Sequence, residues 1–399
     1  MEVRPGYKQA GAGMIPVEWT EGSLLDLAER RKDLFDDGDW VEAEYLTSEG
    51  VRLVQTGNIG VGEFIEKENK KYISPESFAK LRCKDLNVAD ILICRLAEPA
   101  GRACILPDLG EGRVITAVDV TIFRPPTHVA DRNFLVNVFS TSQWFREVND
   151  RCGGSTRTRI SRGELGKIVV QLPPLPEQRA IAATLSDVDA LLDGLDRLIA
   201  KKRGLKQAAM QQLLTGKTRL PGFQGGWDLT SLSELCEMKS GEGITSADID
   251  SFSIYPCYGG NGLRGYTSRF THDGNFALIG RQGALCGNVV EISGRFFASE
   301  HAVVVTPNSR TDIRWLTYLL ATMNLNQHSE SSAQPGLSVS KILMLDVDVP
   351  PSKAEQIAIA ATLSDMDAEL AALEARRDKT RALNQGMMQE LLTGRTRLV

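Results

Sequence analysis

The sequence predicts an α+β chain of two globular domains separated by two long antiparallel helices, related by a pseudo-twofold internal repeat. Three observations predict it. Residues 177–220 align without a gap on 355–398 and are roughly 60% identical to them. Within each copy apolar residues recur at alternating four- and three-residue spacings, the pattern of a helix–helix seam. The seam runs through Ile181, Leu185, Val188, Leu192, Leu195 and Ile199 in the first copy and Ile359, Leu363, Met366, Leu370 and Leu373 in the second. Ahead of each copy lies a short apolar run ending in arginine and followed by glycine, at 90–95 with Gly101 and at 276–281 with Gly287, which reads as equivalent core strands.

The helix ends are marked as well. Pro173, Pro174 and Pro176 precede the first copy, Ser352 and Glu355 make a capping box for the second, and Gly216 and Gly394 stand where a C-terminal glycine belongs. Each helix should run about 38 residues, or roughly 57 Å. The copies also share Ala182, Ala183, Thr184, Ser186, Asp187 and Asp189, repeated as Ala360, Ala361, Thr362, Ser364, Asp365 and Asp367, which point away from the apolar line. They read either as a remnant of duplication or as a second interface used twice for one partner.

The globular parts repeat more loosely. Trp19 precedes Leu24 and Leu27 as Trp227 precedes Leu232 and Leu235, and the first half carries about 30 residues that the second lacks, placed between Arg30 and Ser74. Residues 114–123 match 296–305, short helical segments follow at 134–149 and 313–324, and polar loops at 153–161 and 329–338 lead to the long helices. The expected segments are 1–172 and 221–350 for the globular domains and 173–220 and 351–399 for the helices.

With 399 residues, 42% of them hydrophobic, the chain can bury more than one core. A net charge of −5 argues against nonspecific coating of nucleic acid, so any such contact must come from local clusters. Seven scattered cysteines without a Cys-x-x-Cys pair suggest neither a disulfide framework nor a zinc site. No apolar run reaches membrane-spanning length, and the expectation is a soluble, cytoplasmic protein without a membrane partner.

Catalytic signatures are missing. The glycines from Gly260 to Gly265 fit a dinucleotide fingerprint in spacing, but the strand-like residues after them lack the helix that a phosphate site needs. Four dispersed histidines give no zinc-hydrolase pair, and there is no Walker loop and no Asn/Asp-Pro-Pro-Tyr methyltransferase motif. No catalytic residue, metal site or cofactor of its own is therefore expected.

Basic and amide clusters remain as candidates. Arg151, Arg157, Arg159 and Arg162 fall in an acid-free stretch with Ser155, Thr156, Thr158 and Ser161, a mixture suited to phosphate oxygens. Asn261, Arg264, Gln282 and Gln334 offer the amides and guanidinium that read base edges. Arg95 and Arg281 end apolar strands where glycine-containing loops begin, as ligand-facing cations or as salt-bridged structural residues.

Together these residues resemble the specificity subunit of type I restriction-modification enzymes. The likeness rests on Tyr7-Lys8 with Ile15-Pro16 and Trp19, the Gly153–Thr156 loop with Arg159-Ile160-Ser161, the run 172–182, Tyr258–Gly262 with Arg264-Gly265-Tyr266, and Leu213–Gly216. Pro174-Leu175-Pro176-Glu177-Gln178 before a long helix is the most specific element, and in the second copy it has drifted to Pro350, Pro351, Ser352, Lys353, Ala354, Glu355 and Gln356. The resemblance implies two target-recognition domains, each reading half of a split site in double-stranded DNA, with the paired helices as a ruler. Half-sites one turn apart need docking centres roughly 34–36 Å apart, within the reach of such helices.

It further implies two modification subunits, which bind S-adenosylmethionine and methylate adenine, and motor-nuclease restriction subunits that join for cleavage. The DNA-binding residues expected on this basis are Arg95, Ser155, Thr156, Arg157, Arg159, Asn261, Arg264, Arg281, Gln282 and Gln334. Those expected to hold modification subunits are Gln178, Ala182, Ser186, Asp187, Gln356, Ala360, Ser364 and Asp365. The chain itself is expected not to be an enzyme. A non-catalytic helical scaffold or DNA-binding protein outside restriction-modification is the alternative.

Overall fold

A computed structural model describes residues 5–11, 13–154, 158–283, 285–329 and 336–398. The chain is α+β and forms two compact units, 1–194 with 377–399 (unit 1) and 195–376 (unit 2). The two long helices, Leu175–Leu213 and Lys353–Leu391, match the expected length at 39 residues each. Each is divided between the units, so either unit holds one globular region and part of both helices.

In unit 1 an antiparallel sheet runs in the order Phe35–Asp37, Val120–Phe123, Ile91–Cys94, Ala103–Ile105. A second sheet orders Val114–Thr116, Val51–Val54, Lys71–Ile73 and Leu46–Thr47. This second sheet, with its own small core of Val51, Leu53, Ile73, Cys83 and Ile115, occupies much of the stretch where extra residues were expected. Asp131 and Thr141 cap two helices, Arg132–Val138 and Ser142–Asn149, where the sequence suggested one segment. Strands Thr20–Ser23 and Val169–Leu172 form a separate antiparallel pair.

Unit 2 builds one six-stranded sheet, ordered Cys236–Ser240, Ala302–Pro307, His272–Gly280, Val289–Ala298, Tyr255–Gly259, Gly262–Thr267. Asp312 caps its helix Ile313–Thr322 as Asp131 does in unit 1. Strands Asp228–Ser231 and Asp346–Val349 pair as Thr20–Ser23 and Val169–Leu172 do.

The starts of the long helices are core elements of their units. Ile181 and Leu185 pack with Trp19, Phe134, Leu391 and Leu392 in unit 1, and Ile359 and Leu363 pack with Trp315, Leu213 and Leu214 in unit 2. In each unit the helix segments run antiparallel. Asp189 accepts from Asn384 at 2.8 Å in unit 1, and Lys206 and Lys202 pair with Asp367 and Glu369 in unit 2. Gly216 and Gly394 take positive φ of 66° and 69°, the left-handed C-terminal conformation that glycine adopts without strain. The capping box at the second helix is only half formed. Ser352 Oγ accepts from the Glu355 N–H, while the Glu355 carboxylate, 1% exposed, is taken by Arg219.

Candidate nucleic-acid interface

In unit 2 three connections of the six-stranded sheet converge. The turn at Gly260 and Asn261, the loop after Gly280, and the turn at Ser299–His301 are tied together by Ser299 N–H to Tyr258 O at 2.8 Å and Arg281 N–H to His301 O at 2.9 Å. Their backbones approach so closely that only glycine fits. A Cβ on Gly260 would stand 2.8 Å from Gln282 O, and one on Gly280 would stand 2.4 Å from Gly260 O. The result is a cleft of about 360 Å³ lined by Gly260, Asn261, Arg264, Gln282, Gly283 and His301.

Asn261, Arg264, Gln282 and His301 are all exposed, and among the described residues Arg264 has no acidic partner. The fold thus brings together three residues singled out from the sequence and adds His301, which carried no motif of its own. Arg281, beside them, is half-buried and donates to the Ser240 hydroxyl at 3.0 Å. Gln334 lies outside the described residues.

Unit 1 is different at the corresponding place. Arg95 is 2% exposed and donates to the carbonyls of Val118 (2.6 Å) and Ile160 (3.3 Å). Its Nε lies 3.2 Å from Asp37 Oδ1, close enough for an ion pair though not aligned for a hydrogen bond. Burial pushes the guanidinium below its ordinary pKa, with Asp37 opposing the shift. The expectation of a DNA-facing Arg95 is corrected, since the side chain is enclosed and spent on holding strand to loop.

The acid-free stretch near Arg159 is likewise not acid-free in space. Arg159 Nη1 lies 3.3 Å from Asp119, Arg162 pairs with Asp36 and Asp37, and Arg151 pairs with Glu147. Burial works to raise the Asp36 carboxyl, but hydrogen bonds from the Asp37 N–H and Lys84, with nearby cations, leave it below the ordinary carboxylate range. Asp39, also paired with Lys84, is pushed upward by burial. Ser155, Thr156 and Arg157 lie outside the described residues. The acidic run Asp36, Asp37, Asp39 is visible in the sequence, but nothing local marks it as the partner of arginines far along the chain.

On the helices the repeated off-seam residues divide in two. Gln178 accepts from the Asp131 N–H at 2.8 Å and donates to Pro173 O, while Gln356 accepts from the Asp312 N–H at 2.7 Å. These glutamines, with Ala182 and Ala360, are buried, so the reading of all four as a partner surface is corrected. Their repetition reflects one docking of helix start against capped helix, made once in each unit. Ser186, Asp187 and Asp365 are exposed and Ser364 is half-buried.

The sequence profile of the type I restriction modification DNA specificity domain matches residues 16–201 and again 224–380. The chain belongs to this specificity family.

This specificity-family chain is 48% identical over 141 residues to the EcoprrI specificity subunit of Escherichia coli, a match covering 34% of this chain and 35% of that one. It is 24% identical over 218 residues to the MjaVIII specificity subunit of Methanocaldococcus jannaschii, covering 54% and 49%. The chain therefore spans between about a third and a half of the length of these curated relatives. A crystal structure of the S subunit of a type I restriction-modification system from M. genitalium shares the fold, with a TM-score of 0.63 over 98% of each chain at 17% identity.

Within the specificity fold of this chain, the strand registers make Arg95 and Arg281 equivalent. Asp37 pairs with Thr121 and Thr121 with Ile93, just as Ser240 pairs with Val303 and Val303 with Ile279. Both arginine carbonyls accept the same bond, from Ile160 N–H and from Leu337 N–H, each at 3.0 Å. Among the described residues no His, Cys, Asp and Glu group could hold a metal, and no helix is long and apolar enough to cross a membrane.

Proposed function

We propose that the chain is the DNA-reading component of a type I restriction-modification enzyme, each globular region recognising one half of a bipartite site in double-stranded DNA. The long helices set the spacing and dock two modification subunits, which bind S-adenosylmethionine and carry out methyl transfer. Motor-nuclease subunits join for cleavage, and this chain catalyses no step. The observation that carries the reading is the unit 2 cleft, where two carboxamides, an unpaired guanidinium and an imidazole face solvent together. Carboxamides make paired hydrogen bonds to adenine N6 and N7, and guanidinium makes them to guanine O6 and N7. Arg281 supports the cleft loop, and Asn261, Arg264, Gln282 and His301 are the readers.

The test is methylation mapping in cells carrying the complete enzyme. Arg264→Ala and Gln282→Ala should each relax one position of one half-site and leave the other half unchanged. Unaltered recognition by both variants would overturn the assignment. For partner docking, Ser186, Asp187, Ser364 and Asp365 are the remaining repeated surface. Asp187→Lys combined with Asp365→Lys should lower the number of modification subunits retained in native mass spectrometry.

A further inference from the structure

Unit 1 holds a groove of about 530 Å³ that DNA recognition leaves unused. It lies among strand Val169–Leu172, helix Ser142–Asn149 and the end of the terminal helix, and Gln143, Gln171, Gln385 and Gln389 line it. No side-chain hydrogen bond engages these four carboxamides among the described residues.

The strand has one free edge. Among the described residues it pairs only with Thr20–Ser23, and the Leu24 N–H donates to Ile168 O at 3.1 Å, which fixes the phase of the ladder. Antiparallel pairs alternate, so Val170 and Leu172 bond opposite Gly22 and Thr20 while the backbone groups of Val169 and Gln171 turn to the other edge. Those groups make no further hydrogen bond among the described residues. An unpaired edge beside a groove is a template for an added strand.

Unit 2 shows how such an edge is protected. The equivalent free-edge positions there are Asp346 and Asp348, both exposed, and adjacent carboxylates discourage strand addition. Unit 1 has valine and glutamine instead. At the groove wall Arg146 is exposed and has no acidic partner among the described residues, whereas Glu147 is already paired with Arg151. The groove therefore complements an incoming carboxylate.

We propose that this groove binds an extended segment of a partner polypeptide that adds to the free edge at Val169 and Gln171 and places an acidic side chain on Arg146. Carboxamides of the lining then satisfy polar groups of the peptide, and a carboxylate on the peptide meets the unpaired guanidinium.

The probe is a pool of random 12-residue peptides displayed on phage and panned on the full-length chain, with enriched peptides resynthesised for titration. Enrichment of sequences with an acidic residue is expected, along with slowed amide exchange at Val169 and Gln171 when peptide is bound. Gln171→Pro removes only an outward N–H and should weaken binding about tenfold, the scale of one lost hydrogen bond. Asp348→Pro at the equivalent edge of unit 2 should leave binding unchanged. Arg146→Glu, which does not touch the strand, should abolish the acidic preference and serves if the proline variant fails to fold. No enriched peptide, or enriched peptides indifferent to both Gln171→Pro and Arg146→Glu, would overturn the proposal.

Discussion

Arg95 and Arg281 occupy the same strand end in the two halves, yet one is enclosed and the other stands beside an open cleft. The difference lies in the residue across the sheet, a carboxylate at Asp37 and a hydroxyl at Ser240. Near Asp37 the described cations Lys84, Arg95, Arg159 and Arg162 are drawn into ion pairs with Asp36, Asp37, Asp39 and Asp119. Unit 2 has Lys239, paired with Glu237, where unit 1 has Asp36, and Arg264 has no acidic partner among the described residues. Within the duplicated scaffold the edge strand thus differs at the two positions nearest the arginine, Asp36 and Asp37 against Lys239 and Ser240, while a carboxylate is kept at Asp39 and Glu242. If both regions read DNA as proposed above, the described face of unit 1 should rely less on cations than the unit 2 cleft.

Removing the carboxylate should break the comparison most severely. Asp37→Ala leaves a buried guanidinium without its counter-charge and should cost about 3–5 kcal/mol, whereas Ser240→Ala should cost about 1 kcal/mol. Urea unfolding of the two variants checks this, and equal losses would show that the carboxylate is not what encloses Arg95.

Arg264→Ala in the assembled enzyme should cost about 1–3 kcal/mol of discrimination at one base pair. Arg159→Ala, whose charge is already met by Asp119, should change the salt dependence of binding little. Competition binding at several salt concentrations separates the two, and a flattened slope for Arg159→Ala would mean that its ion pair opens on DNA.

The helix repeats sharpen the comparison further. A fragment of residues 1–220 retains Glu177, Asp189, Lys206 and Arg219, which can pair reciprocally between two copies as Glu355, Asp367, Lys206 and Arg219 do within unit 2. A fragment of 221–399 has Asn384 in place of Lys206 and so offers an amide where the other offers an ammonium. Both should form twofold dimers, the first tighter by about 1 kcal/mol, as sedimentation equilibrium would show. A strictly monomeric first fragment would refute the pairing.

The smallest effect expected is on pH dependence. Asp36 has a lowered folded-state pKa, so its contribution is complete above the unfolded carboxylate value of about 3.9 and is lost as pH falls through the folded value. Asp36→Asn should therefore flatten the acid limb of stability, and no equivalent limb is expected from Lys239. Thermal melts between about pH 2 and 5 cover that window.

Much of this organisation was legible in residues 177–220 and 355–398, because helix periodicity and glycine termination act over a few neighbours. Asn261, Arg264 and Gln282 could be singled out because their amide and guanidinium groups are of the kind that read base edges. His301 could not, as its place in the cleft depends on two other loops. Gln178 and Gln356 looked like surface because helix periodicity gives position around an axis, not what packs there. Their true partners, the capped helices at Asp131 and Asp312, lie far off in sequence.

The sequence by itself determined the duplication, the two long helices and the residues available for recognition, since these follow from local spacing and chain chemistry. Only the tertiary structure decided which cations are free. Charge pairing falls off with distance through space, and Arg162 meets Asp36 although more than a hundred residues separate them along the chain.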